Sequence, residues 1–156
     1  MLEKLKNVGW GVAGLAFFVA IALLVALFIH GGAWLGERIY PWLVGISSIA
    51  LTVLIFVLLP LSFFRTTRAF AGNWMIIASW VFGVTLWVWG LILTYHLWGA
   101  LAVYIGLFLF GVGIVPMAML ATMFKGMWST FGELVFLIIL TFGSRLAGGF
   151  VLTKAE

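Results

Sequence analysis

The sequence predicts an all-α bundle of transmembrane helices, and two observations carry the prediction. Of its 156 residues, 66% are hydrophobic and only 8% charged, whereas about a quarter of the residues in a soluble domain are charged. The charges stand singly or in pairs between apolar runs, and those runs reach the roughly 20 residues a helix needs to cross a bilayer. The 19 glycines and 9 tryptophans agree, because small residues let helices approach closely in lipid and indole rings settle at the membrane interface.

The first segment runs from about Val8 to Ile29, behind Lys4 and Lys6. A basic start before an apolar run is also how a signal peptide opens, but this run is too long and lacks a convincing A-x-A site before Trp34, so it reads as an uncleaved helix. It stops at His30, Gly31 and Gly32, and a polar loop with Glu37 and Arg38 leads to Pro41. Proline there suits the first turn of a second span, Trp42 to about Phe64, where its missing N–H is no loss; Pro60 bends the last turns. Arg65, Thr66, Thr67 and Arg68 form the clearest basic loop. From Trp74 to Phe124 His96 is the only acidic or basic side chain, and the stretch is too long for one crossing. It divides into spans of about 74–95 and 99–124, with a tight reversal between Tyr95 and Gly99. The fifth segment, about 134–152, contains Arg145.

Lys and Arg favour the cytoplasmic side. Five spans with a cytoplasmic N-terminus place Lys4, Lys6, Arg65, Arg68 and Lys125 inside and Arg38 and Lys154 outside. An alternative has four spans and a re-entrant C-terminal segment, which moves Arg145 and Lys154 inside. Five spans are preferred, because a re-entrant backbone needs protein or water around its carbonyls and the last segment has full helical length. The expected place is the plasma membrane, the inner membrane in a bacterium, for a single multi-pass domain.

The net charge of +4 does not call for nucleic acid, since scattered cations serve orientation. The absence of cysteine removes disulfides and thiol chemistry. No nucleophile, base and orienting acid assemble from the inventory, so neither enzymatic activity nor a cofactor is expected. Among polar positions, Arg145 stands out, because an arginine at a span centre costs about 2.5–3.5 kcal/mol. It is expected toward the outer leaflet, reaching the headgroups or pairing with Glu37. His30 and His96 end the first and third spans at similar depth and are weak candidates for axial haem ligation; no third metal ligand beyond Glu37 is apparent.

Gly111, Gly113 and Pro116 fall near the middle of the fourth span. The proline ring clashes with the Val112 carbonyl, so the helix should kink or open there. Transporters expose backbone carbonyls at such breaks, although Gly and Pro also serve packing. Glu133, at the mouth of the fifth span, is expected to pair with Lys125 or face water. Small-xxx-small spacings occur at Gly32/Gly36, Ala16/Ala20, Ala22/Ala26, Ser79/Gly83 and Ala102/Gly106.

Loops this short leave contacts within the membrane. The first functional expectation is a non-catalytic accessory, structural or assembly subunit of a membrane complex, its partners being the bilayer and either another membrane protein or a second copy. The alternatives are a small oligomeric channel or transporter using the Gly111–Pro116 break, and a haem- or quinone-binding anchor using His30 and His96.

Overall fold

A computed structural model describes residues 2–109 and 111–154, without the side chains of residues 2–13; those of Glu3, Lys4 and Lys6 therefore lie outside the description. Helix α1, Leu2–Val53, is continuous through Pro41. The expected loop between His30 and Pro41 does not form, and its residues show why. An interior glycine costs a helix only about 1 kcal/mol, whereas an open loop in lipid leaves backbone N–H and C=O groups unsatisfied. Glu37 and Arg38 find partners on the helix flank instead, Glu37 at His96 and Arg38 over the Trp34 ring at 5.5 Å.

A π-helical turn, Leu54–Leu58, joins α1 to the short α2, Leu59–Phe63, with the Leu59 N–H donating to the Leu54 carbonyl. This wide turn sits immediately before Pro60, whose own N–H is missing. After a single 3-10 turn, Arg65–Thr67, the chain enters α3, Arg68–Phe108. The Thr67 hydroxyl donates to the Leu61 carbonyl at 2.7 Å and Arg68 Nε to the Ser62 carbonyl at 3.2 Å, which ties the basic turn down.

Helix α3 is broken at Gly99, with φ 80° and ψ −175°, a conformation open in practice only to glycine. There the chain doubles back. Ile114 lies against both Gly90 and Gly106, positions that an unbroken helix would hold about 24 Å apart. After residues 100–108 a second break follows, with Gly111 at φ 72°, and α4, Ile114–Phe124, returns to the end it came from. Its Phe124 ring ends 6.1 Å from that of Trp98. Residues 99–124, expected as a single span, instead begin and end at one end of the bundle as a hairpin of two half-helices. Neither half-helix is long enough to traverse about 30 Å of hydrocarbon.

Helix α5, Trp128–Thr153, runs antiparallel to the first arm of α3. Thr141 faces Gly83, and Gly148 and Leu152 face Gly72; Arg68 Nη1 donates to the Lys154 carbonyl at 3.5 Å. The last segment is a straight helix, neither re-entrant nor ending at the end opposite the basic turn. On the other side of α3 lies α1, also antiparallel: Ser47 meets Thr85, Tyr40 meets Trp89 and His30 meets Tyr95. The first arm of α3 is therefore the central helix, and Met75, Phe82, Val103, Ile114 and Leu134 are fully buried around it. The described residues are helical apart from the short turns, and among them three helices are long and apolar enough to cross a membrane.

Candidate functional site

Because α1 and α5 flank α3 without meeting over this face, they leave a cleft of about 200 Å³ between them. Helical spacing decides what points into it. Tyr40, Val44, Ser47, Ser48 and Leu51 recur at intervals of three and four on α1, as do Glu133, Leu137 and Leu140 on α5, while Phe82, Thr85 and Trp89 form the α3 floor. Apolar walls thus surround a few polar groups, the usual make-up of a small-molecule site.

Deep in the cleft, the Ser47 and Thr85 hydroxyl oxygens are 2.7 Å apart and buried. Thr85 donates its proton to the Val81 carbonyl at 2.9 Å, so Ser47 is the donor of the pair. Ser47→Ala should leave Thr85 bonded along its own helix and cost only about 0.5–1.5 kcal/mol, read as a small fall in the unfolding midpoint in detergent. Toward the mouth, the Trp89 indole stacks on the Tyr40 ring, centroids 4.5 Å apart and planes at 14°. Its Nε1 is the only buried side-chain polar atom without a hydrogen-bond partner among the described residues. Such an orphan donor costs about 1–3 kcal/mol. Glu133 is exposed at the rim.

A second polar cluster caps the same end of the bundle. The His96 Nε2 is 3.2 Å from the Glu37 carboxylate, and its Nδ1 donates to the Ile92 carbonyl at 3.1 Å. His30 directs its Nδ1 to the Ala26 carbonyl at 2.9 Å. Both imidazoles lie edge-on to Tyr95, at 5.7 and 5.8 Å. The two histidines reach one level, as their spacing implied, but with each Nδ1 turned to its own helix. Among the described residues no three of His, Asp or Glu come together as a metal site.

The expected Glu37–Arg145 pair is not formed. Arg145 sits with its guanidinium 4.9 Å from the Trp80 ring centroid, whereas Glu37 is at His96, and Trp80 and His96 are separated by about 24 Å along α3. The antiparallel course of α5 explains the correction: it carries Arg145 toward the end with Arg68 and Lys154, not to the end with Glu37. The same course puts Glu133 and Lys125 at the His96 end. Among the described residues the two form no ion pair, and Glu133 belongs to the cleft instead.

The chain does break at Gly111–Gly113, completely rather than as a kink, and Pro116 follows just inside the next helix. Trp87 Nε1 donates to the Gly111 carbonyl at 2.9 Å and Thr94 Oγ1 to the Ile114 carbonyl at 3.4 Å, so side chains of the central helix satisfy carbonyls that the break exposes. Pro116 lies exposed in the first turn of α4, where a missing N–H is harmless. Tyr40, Ser47, Thr85 and Trp89 were not singled out by sequence reasoning as a site. The available signal was the coincidence of hydroxyl and indole groups at helical spacing inside otherwise apolar segments. What the sequence lacks is the pairing of helices that gathers them.

Compared with known protein families, with curated proteins and with solved structures, the chain matches none.

Proposed function

We propose that this chain is a non-catalytic subunit of a membrane complex, held to its partner through the N-terminal part of α1. The supporting observation is an arm without an intrachain partner. Val25 still packs on the core, and Leu24 and Phe28 line a cavity with Tyr104 and Phe108, but residues 14–23 continue beyond these contacts. Leu15, Phe17, Phe18 and Leu23 on that arm are 60–75% exposed. At 52 residues, α1 would be about 78 Å long if straight, nearly twice the 40–45 Å of a whole bilayer. The reading therefore requires the arm, continuous with the rest of α1 in the isolated chain, to bend at Gly31 and Gly32 in the membrane and cross it beside the partner.

This reading places the N-terminus, the Arg65–Arg68 turn and Lys154 in the cytoplasm of a plasma-membrane protein, with Arg38 and Lys125 on the far side, in keeping with the charge rule. It amounts to four crossings with residues 99–124 re-entrant. Because the sequence has no cysteine, single cysteines at Thr66, Lys125 and Thr153 test it directly. In intact cells an impermeant maleimide should label only position 125, with 66 and 153 reacting after permeabilisation. Labelling of 153 from outside would restore five crossings. For the subunit reading itself, gentle extraction followed by mass spectrometry should give one co-migrating membrane protein at fixed ratio, captured by a photo-crosslinker at Phe18. Crosslinks to lipid alone would sink it.

A second reading, a small channel or transporter, is favoured by the re-entrant hairpin, whose non-helical tip lies beside Trp87 and Thr94. Pro116→Ala does not probe it, being exposed and outside the break. Gly111→Ala does, because its φ of 72° is costly for any side chain. Flux through liposomes that this substitution abolishes would support transport, and liposomes that show no flux with the unaltered protein would dismiss it.

A further inference from the structure

We propose that the groove between α3 and α5 at Arg145 receives a transmembrane helix of the partner subunit, and that an aspartate or glutamate on that helix pairs with the Arg145 guanidinium. The inference rests on the subunit reading above and adds the chemistry by which the partner is recognised.

Helical spacing puts Trp80, Gly83 and Trp87 on the face of α3 opposite to Phe82, Thr85 and Trp89, so this groove is separate from the cleft described above. Trp80 and Trp87 wall it, Ser79, Gly83 and Thr141 form its floor, and its volume is about 310 Å³. Arg145 carries the only charge among the lining residues. The Ser79 and Thr141 hydroxyls donate to the Ile76 and Leu137 carbonyls of their own helices. The guanidinium has the Trp80 ring, 4.9 Å away at its centroid, and no carboxylate among the described residues.

Depth decides what can answer that charge. Helix α5, about 39 Å long, exceeds the roughly 30 Å of hydrocarbon by a few ångström at either end, and Arg145 stands about 12 Å before its Thr153 end. Its Cα is therefore below the headgroups. A helical side chain leans toward the N-terminus of its helix, here away from the nearer interface. Gly83 faces Thr141, so about one turn further along each antiparallel helix Trp80 is level with Arg145, and the guanidinium over its ring stays at that depth. A lipid phosphate belongs to the headgroup layer, whereas a membrane helix brings a carboxylate to any depth, where the planar guanidinium binds it through two N–H donors. A second copy of this chain does not fit. Inserted in the same orientation it holds Glu37 and Glu133 at the His96 end, and its other two acids, Glu3 and Glu156, belong to the chain ends. Trp87 also lines the adjoining groove with Gly32 and Gly36 of α1, so a helix seated at Arg145 lies next to the segment where the subunit reading bends the arm.

The test uses a defined helix. The purified protein, carrying a donor dye at Thr153→Cys, is mixed in phosphatidylcholine bilayers with a leucine–alanine transmembrane peptide that bears an acceptor dye and one glutamate about 12 Å from its end, or with a twin bearing glutamine. Energy transfer should show the glutamate peptide associating about tenfold more tightly than its twin, and Arg145→Gln should abolish that difference. Gly83→Phe fills the groove from a Cβ 3.4 Å from Thr141 Cγ2 and leaves the charge in place; it should weaken the glutamate peptide as much, which keeps the test valid if Arg145→Gln elutes aggregated. The proposal is overturned if both peptides bind alike, or if Arg145→Gln, folded, keeps the preference. Displacement of the peptide by phosphatidylglycerol added to the bilayer would assign the groove to a lipid phosphate and overturn it as well. An absent preference, with a protein still captured at Phe18, removes this contact and leaves the subunit reading intact; failure of that reading shows on extraction and not in this assay.

Discussion

Gly148→Val is expected to pull α5 away from α3 and to lower stability by about 3 kcal/mol or more. A Cβ at this position would stand 2.8 Å from the Gly72 carbonyl oxygen, 3.0 Å from Ile76 Cγ1 and 3.1 Å from Met75 Cβ, and the first of these is backbone, which cannot turn aside as a side-chain tip does. Overpacking by itself typically costs 1–3 kcal/mol, and here relief requires moving a whole helix packed along α3. The contact is reciprocal, since a Cβ on Gly72 would meet Leu152 Cγ at 2.7 Å and the Gly148 carbonyl oxygen at 3.0 Å. Gly149 supplies the control: nothing lies within 4 Å of its added Cβ, so Gly149→Val should stay within about 0.5 kcal/mol apart from helix propensity. Thermal unfolding in detergent separates the two variants. Equal midpoints would mean that α3 and α5 do not approach at this point.

The second large effect is expected at the tip of the hairpin formed by residues 99–124. Gly113 is buried, and a Cβ there would lie 2.9 Å from Leu109 Cβ and 3.0 Å from the Gly106 carbonyl oxygen. Gly113→Val should therefore open the turn between the two half-helices, at a cost of about 2–3 kcal/mol. Hydrogen exchange distinguishes this from general loosening: amides of residues 104–117 should exchange far faster, while those of 74–95 stay protected. Gly132→Ala, with nothing within 4 Å of its Cβ, should leave both regions as they were. Uniform acceleration across both would show that the hairpin is not a separate unit.

Much of this architecture is legible in the residues, and the illegible part has a specific cause. Composition and apolar run length predict helices, because no other open structure satisfies its backbone in lipid. The reversal beside His96 and the break at Gly111–Pro116 are marked by glycine and proline, whose backbone rules are local. Whether a 26-residue apolar stretch crosses or dips is not local. It depends on whether Trp87 and Thr94 of another helix reach the carbonyls at the tip, and hydropathy does not record that. The same limit hid the α3–α5 seam: Thr141, Ser144 and Gly148 share one buried face of α5, yet a small-residue stripe gains its meaning only from the Gly72 opposite. Arg145 was expected beside Glu37 and lies over Trp80 instead, because the direction of α5 relative to α1 is set by the hairpin between them and not by either residue.

The hairpin of residues 99–124 also constrains how the chain is made. A half-helix of 11 residues such as α4 is too short for a translocation channel to release sideways as a finished span, and its buried Ala118 packs with Leu134 of a helix not yet synthesised. Residues 99–124 must therefore wait, at the ribosome-proximal end of the process, until Trp128–Thr153 has emerged and can close over them. A nascent chain stopped before Trp128 has the Trp87 and Thr94 donors that cover the tip but leaves Ala118 without the Leu134 it packs against.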